Sequence, residues 1–229
     1  MKQTLTHILT TGAIGLASLS GISQAAVLID GTTLNGSFES SDLSIAGDAK
    51  NGFDMVGKDI TNWQNTDTTY AGVFDNSYDD TGVDYNAGGA HSGNQFAFVH
   101  GGDSGTFNLT SYIISPGDLF TLTWWGRADT IAVRLFSSSD GTYGTASTLN
   151  ELVQVQDNAY TQYSFNYAAV PADYGKTIGV SIFHPLAGGW SNADDVMLTV
   201  VPEPSSSMSL IFGGAALVLR RSRKRSSAA

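Results

Sequence analysis

Leu119-Phe120-Thr121-Leu122-Thr123-Trp124-Trp125-Gly126-Arg127 holds the clearest periodicity in the chain. Phe120, Leu122 and Trp124 fall on one side, and Thr121, Thr123, Trp125 and Arg127 on the other. A period of two is that of a strand with one face in the core. The pattern recurs around it. Phe96, Phe98 and His100 alternate with Ala97 and Val99, and Val133 and Leu135 with Arg134 and Phe136. Downstream, Tyr163, Phe165 and Tyr167 share one face, Ile178, Val180 and Ile182 another, and Val196, Leu198 and Val200 close the series. Turn signals separate these runs at Asn35-Gly36, His100-Gly101-Gly102-Asp103, Ser115-Pro116-Gly117-Asp118, Asp140-Gly141, Pro171-Ala172-Asp173 and Gly188-Gly189. Many short strands between such turns predict an all-β fold, an antiparallel jelly-roll β-sandwich, over residues 26–200. A short helix is expected only over Thr148 to Gln156, and the Gly- and Asp-rich stretch Asn62 to Gly93 reads as long loops.

Composition agrees. Charged residues make up 14% of the 229, below the roughly 25% of average domains. Only Glu39, Glu151 and Glu203 are glutamates, so strong helix formers are scarce, which argues against a helical bundle. With no Cys there is no disulfide, thiolate metal site or cysteine nucleophile. The net charge of −10 gains nothing from counterion release, which argues against nucleic acid as a partner.

The two ends differ from the body. Lys2, an apolar stretch from Ile8 to Ile22 and the small-residue exit Ser23-Gln24-Ala25 make residues 1–25 a cleaved secretory signal. At the other end Pro202-Glu203-Pro204 and a serine run precede an apolar segment, Met208 to Leu219. Arg220, Arg221, Arg223, Lys224 and Arg225 follow. As a short hydrophobic helix that segment would rise about 18 Å, less than the roughly 30 Å of a bilayer core. The basic cluster sits where a positive-inside stop signal belongs. Without its ends the body has five basic and 20 acidic side chains, a formal charge of about −15.

Residues 201–225 resemble the PEP-CTERM sorting signal of Gram-negative bacteria, with residues 226–229 as a trailing end. The resemblance implies recognition by an exosortase, cleavage near Pro202-Glu203-Pro204, contact with the membrane only through this segment, and delivery to the cell envelope, surface or biofilm matrix. The body resembles carbohydrate-binding-module sandwiches with a galactose-binding-like fold. The residues that carry this are Leu34-Asn35-Gly36-Ser37-Phe38-Glu39, Trp63, Ser92-Gly93-Asn94-Gln95 and Asp194-Asp195-Val196-Met197-Leu198. In that family the first motif is a strand, and a structural calcium lies where first and last strands meet. The resemblance therefore implies Glu39 and Asp195 as calcium ligands. Asp194 is the weaker candidate, because adjacent strand residues point opposite ways. Asp75, Asp79, Asp80 and Asp84 lack EF-hand spacing and read as a solvated loop.

Sugar recognition needs an aromatic platform with polar groups beside it. Trp125 and Arg127, on the stripe facing away from the core pattern, fit that need, as does Trp190 in an expected loop after Gly188-Gly189. Sheet packing accounts for Trp125 equally well, and Trp63 reads as a core anchor. Catalytic signatures are missing: there is no H-E-x-x-H, no G-x-S-x-G, and no legible carboxylate pair for glycoside hydrolysis. The expected function is a non-catalytic, exported sandwich that binds extracellular polysaccharide or contributes to the matrix. The alternatives are a surface or matrix protein without a specific ligand, and a polysaccharide-acting enzyme.

Overall fold

The computed structural model describes residues 24–40, 60–66, 71–75, 89–101, 105–128, 130–155 and 159–202. The body of the signal, Glu203, Pro204, the apolar tail, and Asp79, Asp80 and Asp84 lie outside them. Among the described residues no helix is long and apolar enough to cross a membrane.

The described chain is all-β, in two antiparallel sheets. In chain order the strands are β1 (Ala26–Ile29), β2 (Gln64–Asn65), β3 (Ala71–Asp75), β4 (Gln95–His100), β5 (Gly105–Ile113) and β6 (Leu119–Ala128). Then come β7 (Thr130–Ser138), β8 (Ala146–Val155), β9 (Thr161–Ala168), β10 (Thr177–Phe183) and β11 (Trp190–Val201). The first sheet runs β3-β4-β11-β6-β9, and the second β2-β5-β10-β7-β8. β11 organises the first sheet. Its opening residues pair with β4 (Trp190 with His100), its closing residues with β1 (Ala26 with Val200), and its other edge with β6.

The alternation read in the sequence fills the space between the sheets. Phe120, Leu122 and Trp124 are fully buried and meet Ile131, Val133 and Leu135 of β7 and Ile178, Val180 and Ile182 of β10. Trp63 is the core anchor expected of it, tilted against Phe38 at 5.1 Å and donating from Nε1 to the Asn35 carbonyl at 3.0 Å. Two turns are locked alike. The Tyr112 hydroxyl donates to Asp118 at 3.0 Å and the Tyr167 hydroxyl to Asp173 at 2.6 Å. Each aspartate also accepts a backbone N–H of its own turn, from Ser115 and Val170. Burial, and then the bond to the aspartate, push both phenols up to about 12.

Four expectations are corrected. Thr148 to Gln156 is not helical: through Val155 it belongs to β8, an edge strand with a bulge. Leu135 pairs with Asn150 and Phe136 with Thr148, which leaves Leu149 unpaired. The bulge resets the alternation, so Leu149 and Leu152 both pack on the core at a spacing that looks helical. The stretch Asn62 to Gly93 contains two strands, β2 and β3. Trp190 opens β11 rather than lying in a loop. The Asn-Gly-x-Phe-Glu segment is a turn, with Leu34, Asn35 and Phe38 at positive φ. Gly36 there lies so close to the Val196 carbonyl that no Cβ would fit.

Candidate functional site

Both sheets carry unusual chemistry on the face turned away from the core. On the second sheet, Phe107 and Phe136 occupy positions opposite in sense to the core-facing Val180 and Ile182. Gly179 leaves room for the Phe136 ring, whose tip stands where a Cβ would be. The segment after β7 folds back so that Tyr143 stacks on Phe107 (4.3 Å, 15° between planes) and meets Phe136 edge-on at 5.2 Å. Asp140 fixes that segment. It accepts from the Thr142 amide at 2.9 Å, the Thr142 hydroxyl at 2.8 Å, the Thr145 hydroxyl at 2.5 Å and the Ser138 hydroxyl at 3.2 Å. These donors, led by Thr145, draw its carboxyl down to about 2. Beside Tyr143 opens a cavity of about 560 Å3, lined by Ile60, Asn62, Trp63, Gln64, Phe107, Leu109 and residues 141–143. Its size is that of a small-molecule site. Among the described residues it presents aromatic and amide side chains and no charged one.

The first sheet places the sequence candidates together. Strand register sets Arg127 opposite Asn192, Trp125 opposite Asp194, and Trp190 opposite His100, all on the outer face. Trp190 packs on His100 and Phe98, with centroids 4.2 and 5.6 Å away. Trp125 is half-buried, and His91 stacks on it at 3.7 Å, so one face of the indole is already covered. Arg127 is 4% exposed.

Asp194 and Asp195 meet at this face because of a bulge. Asp194 pairs with Trp125 and Met197 with Thr123, while Asp195 adopts φ 48°. That conformation breaks the alternation that would have sent the two carboxylates apart. Asp194 accepts from the Ser92 amide at 3.0 Å; Asp195 accepts from the Ser92 hydroxyl at 2.8 Å and lies 2.6 Å from His91 Nδ1. Glu39 holds the other end of the same segment, taking the Asn94 and Gln95 amides at 2.7 and 2.6 Å. Gly93, at φ 63°, lies where any side chain would strike that carboxylate.

Ligand atoms of His91, Asp194 and Asp195 lie within 4.8 Å of one another; Glu39 is not in this group. Asp194 is fully buried, and burial, its largest cause, pushes its carboxyl up to about 7. Two converging carboxylates, one of them buried, fit a hard divalent ion. The sequence left Asp194 in doubt, since nothing in Asp194-Asp195 announces a left-handed residue. Tyr143 was missed altogether, because its role depends on the fold-back onto Phe107.

No family model matches this chain, and neither does any curated protein. Solved structures do. A Stig cyclase, Fisc from Fischerella sp. TAU, superposes with a TM-score of 0.57 at 16% identity, covering 78% of this chain and 99% of its own. A xylan-binding domain of Paenibacillus barcinonensis Xyn10C gives 0.47 at 10% identity, over 77% and 96%. A second cyclase from Fischerella gives 0.49 at 17% identity, over 61% and 85%. This chain shares the fold of the first of these. At such identities the likeness concerns fold alone.

Proposed function

We propose that this protein is an exported, non-catalytic β-sandwich that binds extracellular polysaccharide or contributes to the biofilm matrix. In this reading the N-terminal signal exports it, and an exosortase sorts it at Pro202-Glu203-Pro204. The observation that carries sugar binding is the cavity of about 560 Å3 beside Tyr143. Aromatic rings suit the C–H face of a pyranose, and Asn62, Gln64 and Thr142 offer both donors and acceptors for hydroxyls. Asp140 holds Tyr143 in place beforehand, which lowers the ordering cost of binding. Titration calorimetry with xylan and β-1,4-galactan oligosaccharides, and with the producer's own exopolysaccharide, tests this. Tyr143→Ala is expected to weaken binding at least tenfold and, because two ring contacts go with it, to lower the melting temperature by only a few degrees. If the native chain binds none of them, the ligand-free matrix protein becomes the better reading.

Trp125, Arg127 and Trp190 form the second surface we assign to ligand, supported by their common outer face. A structural calcium belongs to the same proposal. Asp195 and Asp194 are its oxygen donors, and the ion would offset buried charge; Glu39, the other ligand expected, stands outside their group and holds the Asn94 and Gln95 backbone instead.

A further inference from the structure

The sheet that carries the Tyr143 cavity offers an anion nothing to pair with. Among the described residues Arg134 is the one basic side chain in its five strands. Glu151, across from it on β8, takes its Nε at 2.8 Å and its Nη2 at 2.7 Å. The Phe183 ring lies against the same guanidinium, 4.4 Å from centroid to Cζ. The cation is thus neutralised within the sheet.

The turn at the cavity wall adds a charge of the opposite sign. Asp140 is one peptide away from Gly141, which lines the cavity, so their Cα atoms are about 3.8 Å apart. The donors that draw its carboxyl down to about 2 keep it ionised through the neutral range. A ligand resting on residues 141–143 stands inside the ~10 Å over which 0.1 M salt screens that charge. The rest of the body, at a formal charge of about −15, has the same sign.

Hydrogen bonding points the same way. The Thr142 hydroxyl gives its one proton to Asp140 at 2.8 Å, and the Thr142 amide donates to the same carboxylate at 2.9 Å. What that hydroxyl leaves to a ligand is lone pairs. A sugar hydroxyl donates to them, whereas a carboxylate is an acceptor only. We propose that the Tyr143 cavity selects uncharged sugar residues (pentoses, hexoses and esterified uronates) and excludes the free uronate, with Asp140 and Thr142 setting this specificity. The inference rests on the polysaccharide reading above and names the class of glycan that its site takes.

The test titrates the full chain, at neutral pH and low salt, with β-1,4-linked trimers of xylose and of galactose. Beside them stand the matching glucuronic and galacturonic trimers, each as free acid and as methyl ester. In whichever series binds, the ester is expected to bind at least tenfold more tightly than the acid and within a few-fold of the neutral trimer. Sodium chloride at 1 M should lower that ester-to-acid ratio several-fold, because it screens the repulsion. Asp140→Asn should lower it too, since it removes the charge and keeps a side-chain carbonyl for the Thr142 donors. Any loosening of Tyr143 in that variant affects acid and ester alike and drops out of the ratio. Equal binding of acid and ester, or tighter binding of the acid, overturns the selectivity and leaves the polysaccharide reading standing. A ratio that survives either 1 M salt or Asp140→Asn unchanged overturns it as well. Should Asp140→Asn fail to fold, Gln64→Lys, at an exposed position of the wall, decides: a several-fold smaller ratio supports the proposal, and an unchanged one overturns it. Binding of none of the trimers overturns the polysaccharide reading and this inference with it.

Discussion

Trp124 is fully buried between Tyr163 and Phe165, ring centroids 5.7 and 5.9 Å away, whereas its chain neighbour Trp125 is half-buried against His91. The period of two puts them on opposite faces, so truncation should separate them. Trp124→Ala is expected to cost about 3–5 kcal/mol, as for large aromatic truncations in cores. Trp125→Ala loses chiefly one ring contact, about 0.5–1.5 kcal/mol. Chemical denaturation of the two variants checks this, and a larger loss at Trp125 would invert the faces. Faces were legible because Thr121 and Thr123 mark the outer side of the same strand. The left-handed Asp195 was not, since an αL aspartate is set by the tertiary contact of the bulge with Gly36, whose carbonyl accepts the Val196 amide at 2.8 Å.

The fold-back between β7 and β8 is an element whose rigidity can be titrated. The Asp140 carboxyl is depressed by the Thr145 and Thr142 donors to about 2, against 3.8 ordinarily. A depressed acid contributes stability that is complete above its unfolded pKa and is lost as pH falls through the folded one. Ordering of Tyr143, followed through its ring resonances, should therefore hold from neutral pH to about 4 and loosen between about 4 and 2. Asp140→Ala should loosen it at neutral pH and weaken glycan binding several-fold. The sequence announced a turn at Asp140-Gly141, because Asp favours self-bonded turns and Gly141 supplies φ 76°. It did not announce that the turn would carry Tyr143 onto Phe107. β8 misled for a similar reason: the Leu149 bulge makes a strand imitate helical spacing.

Across the whole molecule, charge is the dominant feature. A body of about −15 has two of its acids converging on the segment that also carries His91. If calcium occupies that junction, it stabilises the folded state by mass action, about 2.7 kcal/mol at ~100-fold excess over its dissociation constant. For a chain of this size that corresponds to roughly 5–10 °C in melting temperature. EDTA should remove the increment, and Asp195→Asn should make the protein insensitive to it. Identical melting with and without chelator would remove the metal. The sandwich itself was readable because its core obeys one rule, alternation, in nearly every strand. The sites were less so, because each depends on a bulge or fold-back that brings together residues distant in the chain.

The claim that the Tyr143 cavity holds sugar is tested most directly by chemical-shift mapping of the 15N-labelled chain during titration with xylan- and galactan-derived oligosaccharides. Saturable shifts are expected at Asn62, Gln64, Gly141, Thr142 and Tyr143. No saturable shift with any of these glycans, or shifts confined to the outer face of β6 and β11, would contradict it.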